Sequence, residues 1–367
     1  MDDGVQVVSL ETEAFDAAFG GKENIHSALA KETADYIETG EPSMRLRGFV
    51  SLLQEEIERF LPTHIVSNDG LSMQATSAMS MPNIEACRIG IIHTAEQLPF
   101  GPFAGGVPGQ VSSPSEYNLL QKLDGIWSVS NAIKQYAFTH GKLQTSFFVH
   151  HPWTYLEEKS HRFPAQLHNW DKKFIGMINP CAVKGAQILI DLAKACPQYE
   201  FLVYKSWGFD NDIGRQLRDL HNVTVRSTCK DMAEAWRDIK VLIVPSLWFE
   251  AWGIVLTEAH LRGIPVVSSD AGALPEAMLG LKYTIPVNAI NGDRNQKGAY
   301  ILPNQDIEPW IEAVTELMTG KSIYEELSKK AHKTTSRWLK DMDESALENW
   351  LLGLAMRSSL LVSVNNE

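Results

Sequence analysis

Residues 245–277 read PSLWFEAWGIVLTEAHLRGIPVVSSDAGALPEA. The apolar run VLIVPS (241–246) that leads into this stretch has the length and composition of a buried β-strand. Gly253 permits a tight turn, and the spacing predicts a helix that begins near Ile254. Glu250 then stands in the loop after the strand, and Glu258 lies about one turn inside the helix. This strand, loop and helix decide the fold.

The start of that helix predicts an anion site. The amides of Gly253, Ile254 and Val255 precede the first intrahelical hydrogen bond and carry the positive end of the helix dipole. A diphosphate is the obvious anion for such a site. Glu250 and Glu258 would repel it unless they accept hydrogen bonds from hydroxyl groups, and sugar or ribose hydroxyls meet that need.

The rest of the chain alternates short β-rich runs with helical segments. From residue 172 onward the pattern predicts strands at 174–178, 201–205, 223–227, 241–246 and 265–269, each followed by a helix or turn. The first half predicts strands at 63–68, 87–93, 125–130 and 146–151, with helices at 23–38, 44–60 and 131–140. Strands that alternate with helices form parallel sheets covered on both faces. The expected fold class is therefore α/β, with two Rossmann-like, doubly wound domains that face each other across a cleft.

We expect three segments in this architecture. Residues 1–160 form an acceptor-side domain and residues 161–335 a nucleotide-sugar-binding domain, joined by an irregular linker near 152–170. Residues 336–367 should pack back on the first domain, because Leu347, Trp350 and Leu354 belong to one apolar helical stripe.

The length, net charge and cysteine spacing of the chain limit the kinds of partner that it can bind. The chain has 367 residues, which favours two cores over one, and no apolar run reaches the roughly 20 residues that span a bilayer. Its net charge of −12 argues against nucleic acid as a partner. The acidic N-terminus lacks the basic flank of a secretory signal, so we expect a cytoplasmic protein. The four cysteines lie far apart without Cys-x-x-Cys spacing, which favours reduced thiols and neither zinc nor disulfides.

The motif around Glu250 resembles that of the retaining glycosyltransferases of the GT-B fold, specifically glycosyltransferase family 4, also called glycosyl transferases group 1. The matching features are Pro-Ser at 245–246, Glu250, Trp252-Gly253, Glu258, GIPVV at 263–267 and AGALPEA at 271–277. Seven residues separate Glu250 from Glu258. The resemblance covers residues 172–290 well, residues 87–150 loosely and the first 80 residues poorly.

The resemblance implies roles for individual residues. Glu250 would contact the donor sugar near the reacting carbon, Glu258 the ribose hydroxyls, and the amides at 253–255 the diphosphate, with Trp252 beside them. Lys184-Gly185, after the first strand of the second domain, would neutralise the departing diphosphate without a metal or any other cofactor. The family often has an arginine a few residues earlier, where this chain has Asn179; Lys205 could supply the missing charge.

The first domain offers two further candidates. His93 follows the strand at 87–93, where the family often places a histidine that reaches the donor sugar. Gly20-Gly21-Lys22 would form the phosphate and acceptor loop if residues 5–10 are the first strand. Equally, the chain could lack that strand.

The expected function is metal-independent transfer of a sugar from a UDP-, GDP- or ADP-linked donor to a hydroxyl, with retention at the anomeric carbon. The acceptor could be a small molecule, a glycan or a lipid. Two alternatives stay open: a GT-B nucleotide-sugar epimerase, and a degenerate subunit that binds the nucleotide sugar as a scaffold for an active partner. Asn179 and the irregular N-terminus favour the scaffold.

Overall fold

Two β-sheets organise the chain. A computed structural model describes residue 7 and residues 25–105, 112–152, 163–228, 231–296 and 298–364. The chain divides into two compact units. The first unit comprises residues 1–127, 137–148 and 348–367, and the second comprises residues 128–136 and 149–347.

The second unit contains a six-stranded sheet. Its strands are β5 (Phe174–Ile178), β6 (Glu200–Tyr204), β7 (Val223–Arg226), β8 (Ile239–Val244), β9 (Val266–Ser269) and β10 (Thr284–Ile285). Their order is β10-β9-β8-β5-β6-β7, and each neighbouring pair is parallel. This is the Rossmann strand order, in which the chain starts at the centre, moves to one edge and then returns to fill the other side. The predicted strands are therefore confirmed, and β10 is an addition.

Helices connect and cover these strands. In chain order they are α6 (Ala186–Ala195), α7 (Asn211–Arg218), α8 (Met232–Asp238), α9 (Ile254–Leu261), α10 (Leu274–Ala277), α11 (Glu308–Thr319) and α12 (Lys321–Lys340), preceded by α5 (Asn131–Tyr136). The strand β8 is buried at all six positions, as expected for a central strand covered on both faces.

The first unit is built on a four-stranded sheet with the order β1-β2-β3-β4. Its strands are β1 (His64–Ser67), β2 (Cys87–Ile92), β3 (Gly125–Ser128) and β4 (Phe147–Val149), and its helices are α1 (Ile25–Thr39), α2 (Met44–Phe60), α3 (Gly70–Ala75) and α4 (Glu116–Gln121). The strands β1 and β2 pair in parallel. A π-helical turn at Ala137–Gly141 replaces the end of the helix expected over 131–140, and Gly141 lies directly against the ring of Phe100.

The last helix, α13 (Glu344–Val364), contributes its main part to the first unit. The ring of Trp350 stacks on Phe148 at 5.2 Å, and Leu354 lies in a cluster with Cys87 and Ile89. His64 Nε2 donates a hydrogen bond of 2.8 Å to the carbonyl oxygen of Leu351. The apolar stripe of this helix therefore covers the sheet of the first unit.

The unit boundaries differ from the expected 1–160, 161–335 and 336–367 in three places. The second main segment of the second unit begins at Val149, before the expected boundary at 160. Residues 128–136 lie with the second unit, where the Glu276 carboxylate accepts hydrogen bonds from the backbone amides of Asn131 and Ala132. Residues 336–347 also lie there, because Trp338 on α12 stacks on Trp252 at 5.2 Å. Only the segment from residue 348 onward joins the first unit.

None of the helices in the described part of the chain is long and apolar enough to cross a membrane.

We expect Trp350→Ala to destabilise the first unit by roughly 2–3 kcal/mol, somewhat below the cost of removing a fully buried tryptophan because Trp350 is partly exposed. Leu352→Ala on the same helix is the matched control, since its side chain is 48% exposed and its loss should be nearly neutral. Thermal unfolding followed by circular dichroism would measure both. Equal effects of the two substitutions would show that the apolar stripe adds no more to the stability of the first unit than the exposed side of the helix does.

Candidate functional site

The carboxyl ends of β5 and β8 carry the candidate site. These strands are neighbours in the sheet, and the chain leaves them toward opposite edges, so they flank the point where the strand order reverses. Ligands of open α/β sheets bind in the crevice that forms at such a point. Lys184 lies in the short 3₁₀ turn Ala182–Lys184 after β5, and Glu250 lies in the loop after β8.

Backbone hydrogen bonds hold these two loops together. The carbonyl oxygen of Val183 accepts hydrogen bonds from the amides of Leu247 at 2.9 Å and Trp248 at 3.0 Å. Gly185 has a φ of 82°, and a Cβ atom there would lie 1.9 Å from the carbonyl oxygen of Pro245. The loops therefore approach so closely that only glycine fits at position 185.

The side chains of Lys184 and Glu250 form an ion pair at this junction. Lys184 Nζ lies 2.6 Å from Glu250 Oε1, and the two side chains are only 22% and 15% exposed. The carbonyl oxygen of Glu250 also accepts a hydrogen bond of 2.7 Å from the amide of Ala273. Gly272 leaves room for this contact, because a Cβ atom there would lie 2.3 Å from that same oxygen.

The helix α9 begins where the sequence predicts it. Gly253 caps it with a φ of 107°, and a Cβ atom at this position would meet Leu274 Cδ2 at 2.7 Å. The amide of Leu256 donates the first intrahelical hydrogen bond, to the carbonyl oxygen of Gly253 at 3.0 Å. The amides of Gly253, Ile254 and Val255 precede this bond and are thus oriented toward the start of the helix.

Glu258 lies one turn further along α9 and is half-buried. Burial raises the pKa of its carboxyl group, and the charge of Arg262 opposes this shift. Arg262 donates its hydrogen bond to the backbone carbonyl of Glu258 at 3.0 Å and leaves the carboxylate oxygens free of that bond. Hydrogen bonds from hydroxyl groups would stabilise the charged form of this half-buried carboxylate.

Trp252 lies inside an aromatic cluster of the second unit. Its ring stacks on Trp338 and contacts His151 at 4.5 Å between centroids. Its Nε1 donates to Thr257 Oγ1 at 3.2 Å, and 3% of the residue is exposed. The indole therefore fixes the loop between Glu250 and α9 through packing.

Asn179 and the loop after β6 form the other side of β5. Asn179 has a φ of 57°, and its Oδ1 accepts a hydrogen bond of 3.4 Å from the amide of Gly208. The side chain thus holds the 205–210 loop in place. Lys205 Nζ lies 5.0 Å from the ring centre of Phe209, a cation–π contact, while Trp207 is 74% exposed.

The first half of the chain contains two further candidates for the site, His93 and the candidate loop Gly20-Gly21-Lys22. His93 follows β2 directly, its side chain is exposed, and its backbone amide donates to Gln97 Oε1 at 2.6 Å. Gly20, Gly21 and Lys22 lie outside the described residues, as does all but Val7 of the candidate first strand at 5–10.

Glu276, in the Pro-Glu-Ala ending of the motif, forms a hydrogen-bonded cluster that the sequence did not predict. Glu276 accepts hydrogen bonds from His151 at 2.6 Å and from Asn131 Nδ2 at 2.8 Å. Burial raises the pKa of Glu276, but these hydrogen bonds outweigh burial, so the net pKa lies below its usual value. The Pro-Glu-Ala ending was visible in the sequence, whereas its partners lie at least 125 residues away, beyond the reach of local periodicity.

Within the described ranges, no group of three or more histidine, cysteine, aspartate or glutamate side chains is arranged to hold a metal ion.

Part of the second unit matches a known family model. Residues 173–320 match the model of the family described as Glycosyl transferases group 1. The resemblance to the glycosyl transferases group 1 that the motif around Glu250 indicates is therefore confirmed for this region of the second unit.

Curated relatives match the chain over part of its length. An exopolysaccharide phosphotransferase of Streptomyces coelicolor is 26% identical over 157 residues, which are 41% of this chain and 15% of that protein. A D-inositol 3-phosphate glycosyltransferase of Mycobacteroides abscessus is 27% identical over 158 residues, which are 40% of this chain and 32% of that protein. The matched region is thus less than a third of the length of either relative.

Solved structures match over most of the chain. Sucrose-phosphate synthase from Thermosynechococcus elongatus has a TM-score of 0.59 at 15% identity and covers 89% of this chain and 78% of its own. HepE of Anabaena in complex with UDP-glucose has a TM-score of 0.56 at 14% identity and covers 86% and 82%. These similarities confirm the expected α/β GT-B fold with its two Rossmann-like domains.

We expect Gly185→Ala to destabilise the second unit much more than Gly280→Ala does. Both glycines have positive φ, but a Cβ atom at position 280 meets nothing within 4 Å, whereas at position 185 it meets the carbonyl oxygen of Pro245. The difference isolates the close approach of the two loops and should amount to roughly 1–3 kcal/mol, the usual cost of overpacking. Thermal unfolding of the two variants would measure it, and equal losses would contradict the close approach.

Proposed function

We propose that the protein is a glycosyltransferase that moves a sugar from a nucleoside-diphosphate donor to an acceptor hydroxyl, with retention and without a metal ion. The observation that carries this proposal is the Lys184–Glu250 pair beside the first amides of α9. The pair brings a cation and a carboxylate to the switch point, and the start of α9, capped by Gly253 three residues after Glu250, is of the kind that suits an anion.

Lys184 would bind the diphosphate together with the amides of Gly253, Ile254 and Val255. Negative charge grows on the diphosphate as the bond to the anomeric carbon breaks, so a fixed cation and oriented amides stabilise the transition state more than the ground state. The acceptor hydroxyl then attacks the oxocarbenium-like carbon from the face that the leaving group vacates, and its proton passes to an oxygen of the departing diphosphate. No covalent enzyme intermediate is required.

Two carboxylates would orient the donor. Glu250 would accept hydrogen bonds from the sugar, and Glu258, half-buried one turn along α9, would accept them from the ribose. The family resemblance assigns His93 a contact with the donor sugar. Trp252 and Gly185 would support these groups, Trp252 by packing and Gly185 by allowing the two loops to meet.

The family domain in residues 173–320 and the fold of structures such as the UDP-glucose complex of HepE support a nucleotide-sugar donor. We propose a UDP-, GDP- or ADP-linked sugar, with a small molecule, glycan or lipid as acceptor and a cytoplasmic location. A thermal-shift screen against these three nucleotide classes, followed by assays of nucleotide release with candidate acceptors, would test the proposal. Absence of any nucleotide binding would contradict it.

A second candidate is a scaffold that binds the nucleotide sugar without turnover. The observation that favours it is Asn179, which supplies no positive charge and whose side-chain oxygen accepts a hydrogen bond from the amide of Gly208. Release of nucleotide in the presence of an acceptor would exclude this alternative. Donor binding without release by the protein, even with a broad set of acceptors, would support it.

Glu258→Gln should weaken donor binding by roughly 1 kcal/mol, the difference between hydrogen bonds to a charged acceptor and to a neutral one. Burial raises the pKa of Glu258, so the neutral amide should not lower the melting temperature at neutral pH, and lost binding would then not reflect unfolding. Glu312→Gln, at an exposed position of α11, is the control. Isothermal titration with the donor would measure both; an unchanged dissociation constant in Glu258→Gln would remove Glu258 from the site.

Lys184→Ala should lower kcat by about 10²–10³-fold, the usual effect of losing one group that stabilises developing negative charge. The donor KM should change less, because the charge on the diphosphate is largest in the transition state. Lys194→Ala is the control, since Lys194 lies at the end of α6 with its side chain 57% exposed. A raised KM with intact kcat would make Lys184 a binding contact only.

Activity should persist in excess EDTA, because Lys184 and the helix amides are proposed to supply the electrostatic stabilisation. Steady-state rates before and after dialysis against the chelator would measure this. A strict requirement for Mn²⁺ or Mg²⁺ would contradict the metal-independent part of the proposal.

A further inference from the structure

The ion pair between Lys184 and Glu250 engages the residue that is proposed to bind the diphosphate. Lys184 Nζ lies 2.6 Å from Glu250 Oε1, and both side chains are mostly withdrawn from solvent. A diphosphate therefore meets a lysine whose charge is already balanced by a carboxylate.

The backbone enforces this contact. The two loops are joined by the hydrogen bonds from Leu247 and Trp248 to Val183, and the backbone of Glu250 is bonded to Ala273. Because neither loop can withdraw without breaking these bonds, Glu250 stays within reach of Lys184. The pair is part of the architecture of the switch point and differs in this from an exposed surface pair between mobile side chains.

The charges around the pair also disfavour a bare anion. Cys181, just before the turn that carries Lys184, experiences the charges of Lys184, Glu250 and Asp210. At Cys181 the effect of the Lys184 charge on the pKa is thus opposed by the charges of two carboxylates. A nucleoside diphosphate that takes Lys184 would leave Glu250 without its cation, at a partly buried position next to phosphate oxygens.

A nucleotide sugar changes this balance, because its hydroxyl groups can donate hydrogen bonds to Glu250. The carboxylate then exchanges its ammonium partner for hydroxyl partners, while Lys184 moves to the diphosphate. A sugar-free nucleoside diphosphate cannot offer this exchange.

We infer that Glu250 is a specificity residue that makes the site prefer sugar-bearing nucleotides over the sugar-free nucleoside diphosphate, by competing with the diphosphate for Lys184. The inference rests on the proposed function. It gives Glu250 a second task beyond sugar contact: it lowers retention of the nucleotide product after transfer.

Glu250→Gln tests this role, since the amide keeps the shape of the side chain and removes its charge. The variant should bind the sugar-free nucleotide more tightly than the wild type, by about 3- to 30-fold, which lies within the usual couplings between residues in contact. It should gain no affinity for the sugar nucleotide, because it loses a charged acceptor for the sugar hydroxyls. The ratio of the two dissociation constants therefore shifts toward the sugar-free nucleotide.

The experiment is isothermal titration of the full chain with UDP and UDP-glucose, GDP and GDP-mannose, and ADP and ADP-glucose, continued with the pair that binds the wild type. Lys184→Met and the double variant Lys184→Met, Glu250→Gln complete a double-mutant cycle. In the absence of Lys184, Glu250→Gln should bring little tightening for the sugar-free nucleotide. Glu312→Gln removes one negative charge at an exposed position and should leave both dissociation constants unchanged.

Glu250→Asp keeps the charge and shortens the reach to Lys184. It should also bind the sugar-free nucleotide more tightly, and it serves in place of Glu250→Gln if that variant does not fold by circular dichroism. Wild-type binding of a nucleotide sugar combined with unchanged or weaker binding of the sugar-free nucleotide by the folded Glu250 variant would overturn this inference and leave the proposed function standing. Failure of the wild type to bind any of the six nucleotides would overturn both.

Discussion

The close approach of the loops after β5 and β8 is the constraint on which the candidate site depends. Gly185 lets the start of α6 pass against the carbonyl oxygen of Pro245, and Val183 accepts the amides of Leu247 and Trp248. These contacts bring a lysine and a glutamate that are 66 residues apart into one ion pair. Without a glycine at position 185, the two loops would have to separate and the pair would lose its geometry.

Glycines also allow close backbone contacts along the loop after β8. Gly272 allows the backbone of Ala273 to bond with that of Glu250, and Gly253 turns the chain into α9 against Leu274. Trp252 between them is buried against Trp338 and bonded to Thr257. Glu250 and the amides at the start of α9 are therefore set by backbone contacts and packing before any ligand binds, which is the preorganisation that electrostatic catalysis requires.

Much of the fold could be predicted from the sequence, because each strand of the second unit is a short apolar run between turn signals. The helix start at Gly253 was also predictable, since a glycine after a buried strand marks a tight turn. The ion pair between Lys184 and Glu250 was not, because strand order decides which loops are neighbours and no local pattern encodes that order. The sequence did not predict that residues 128–136 lie with the second unit, for the same reason. Their position depends on hydrogen bonds to Glu276, which is 145 residues from Asn131.

The buried state of Trp252 was another feature that its place in the motif did not reveal. A tryptophan beside a glycine at a predicted ligand site could face either the ligand or the core, and its partner Trp338 lies on a helix 86 positions further along the chain, a separation counted from the residue numbers. The aromatic cluster thus has to be seen in three dimensions. Its role is to hold the loop from which Glu250 projects.

A structure of the protein with a bound nucleotide sugar tests the central claim most directly. We predict that Lys184 Nζ leaves Glu250 and lies about 3 Å from a diphosphate oxygen, that the amides at 253–255 face the same diphosphate, and that Glu250 accepts a hydrogen bond from the sugar. A complex in which the nucleotide is bound while Lys184 remains paired with Glu250 and the diphosphate lies away from the start of α9 would contradict it.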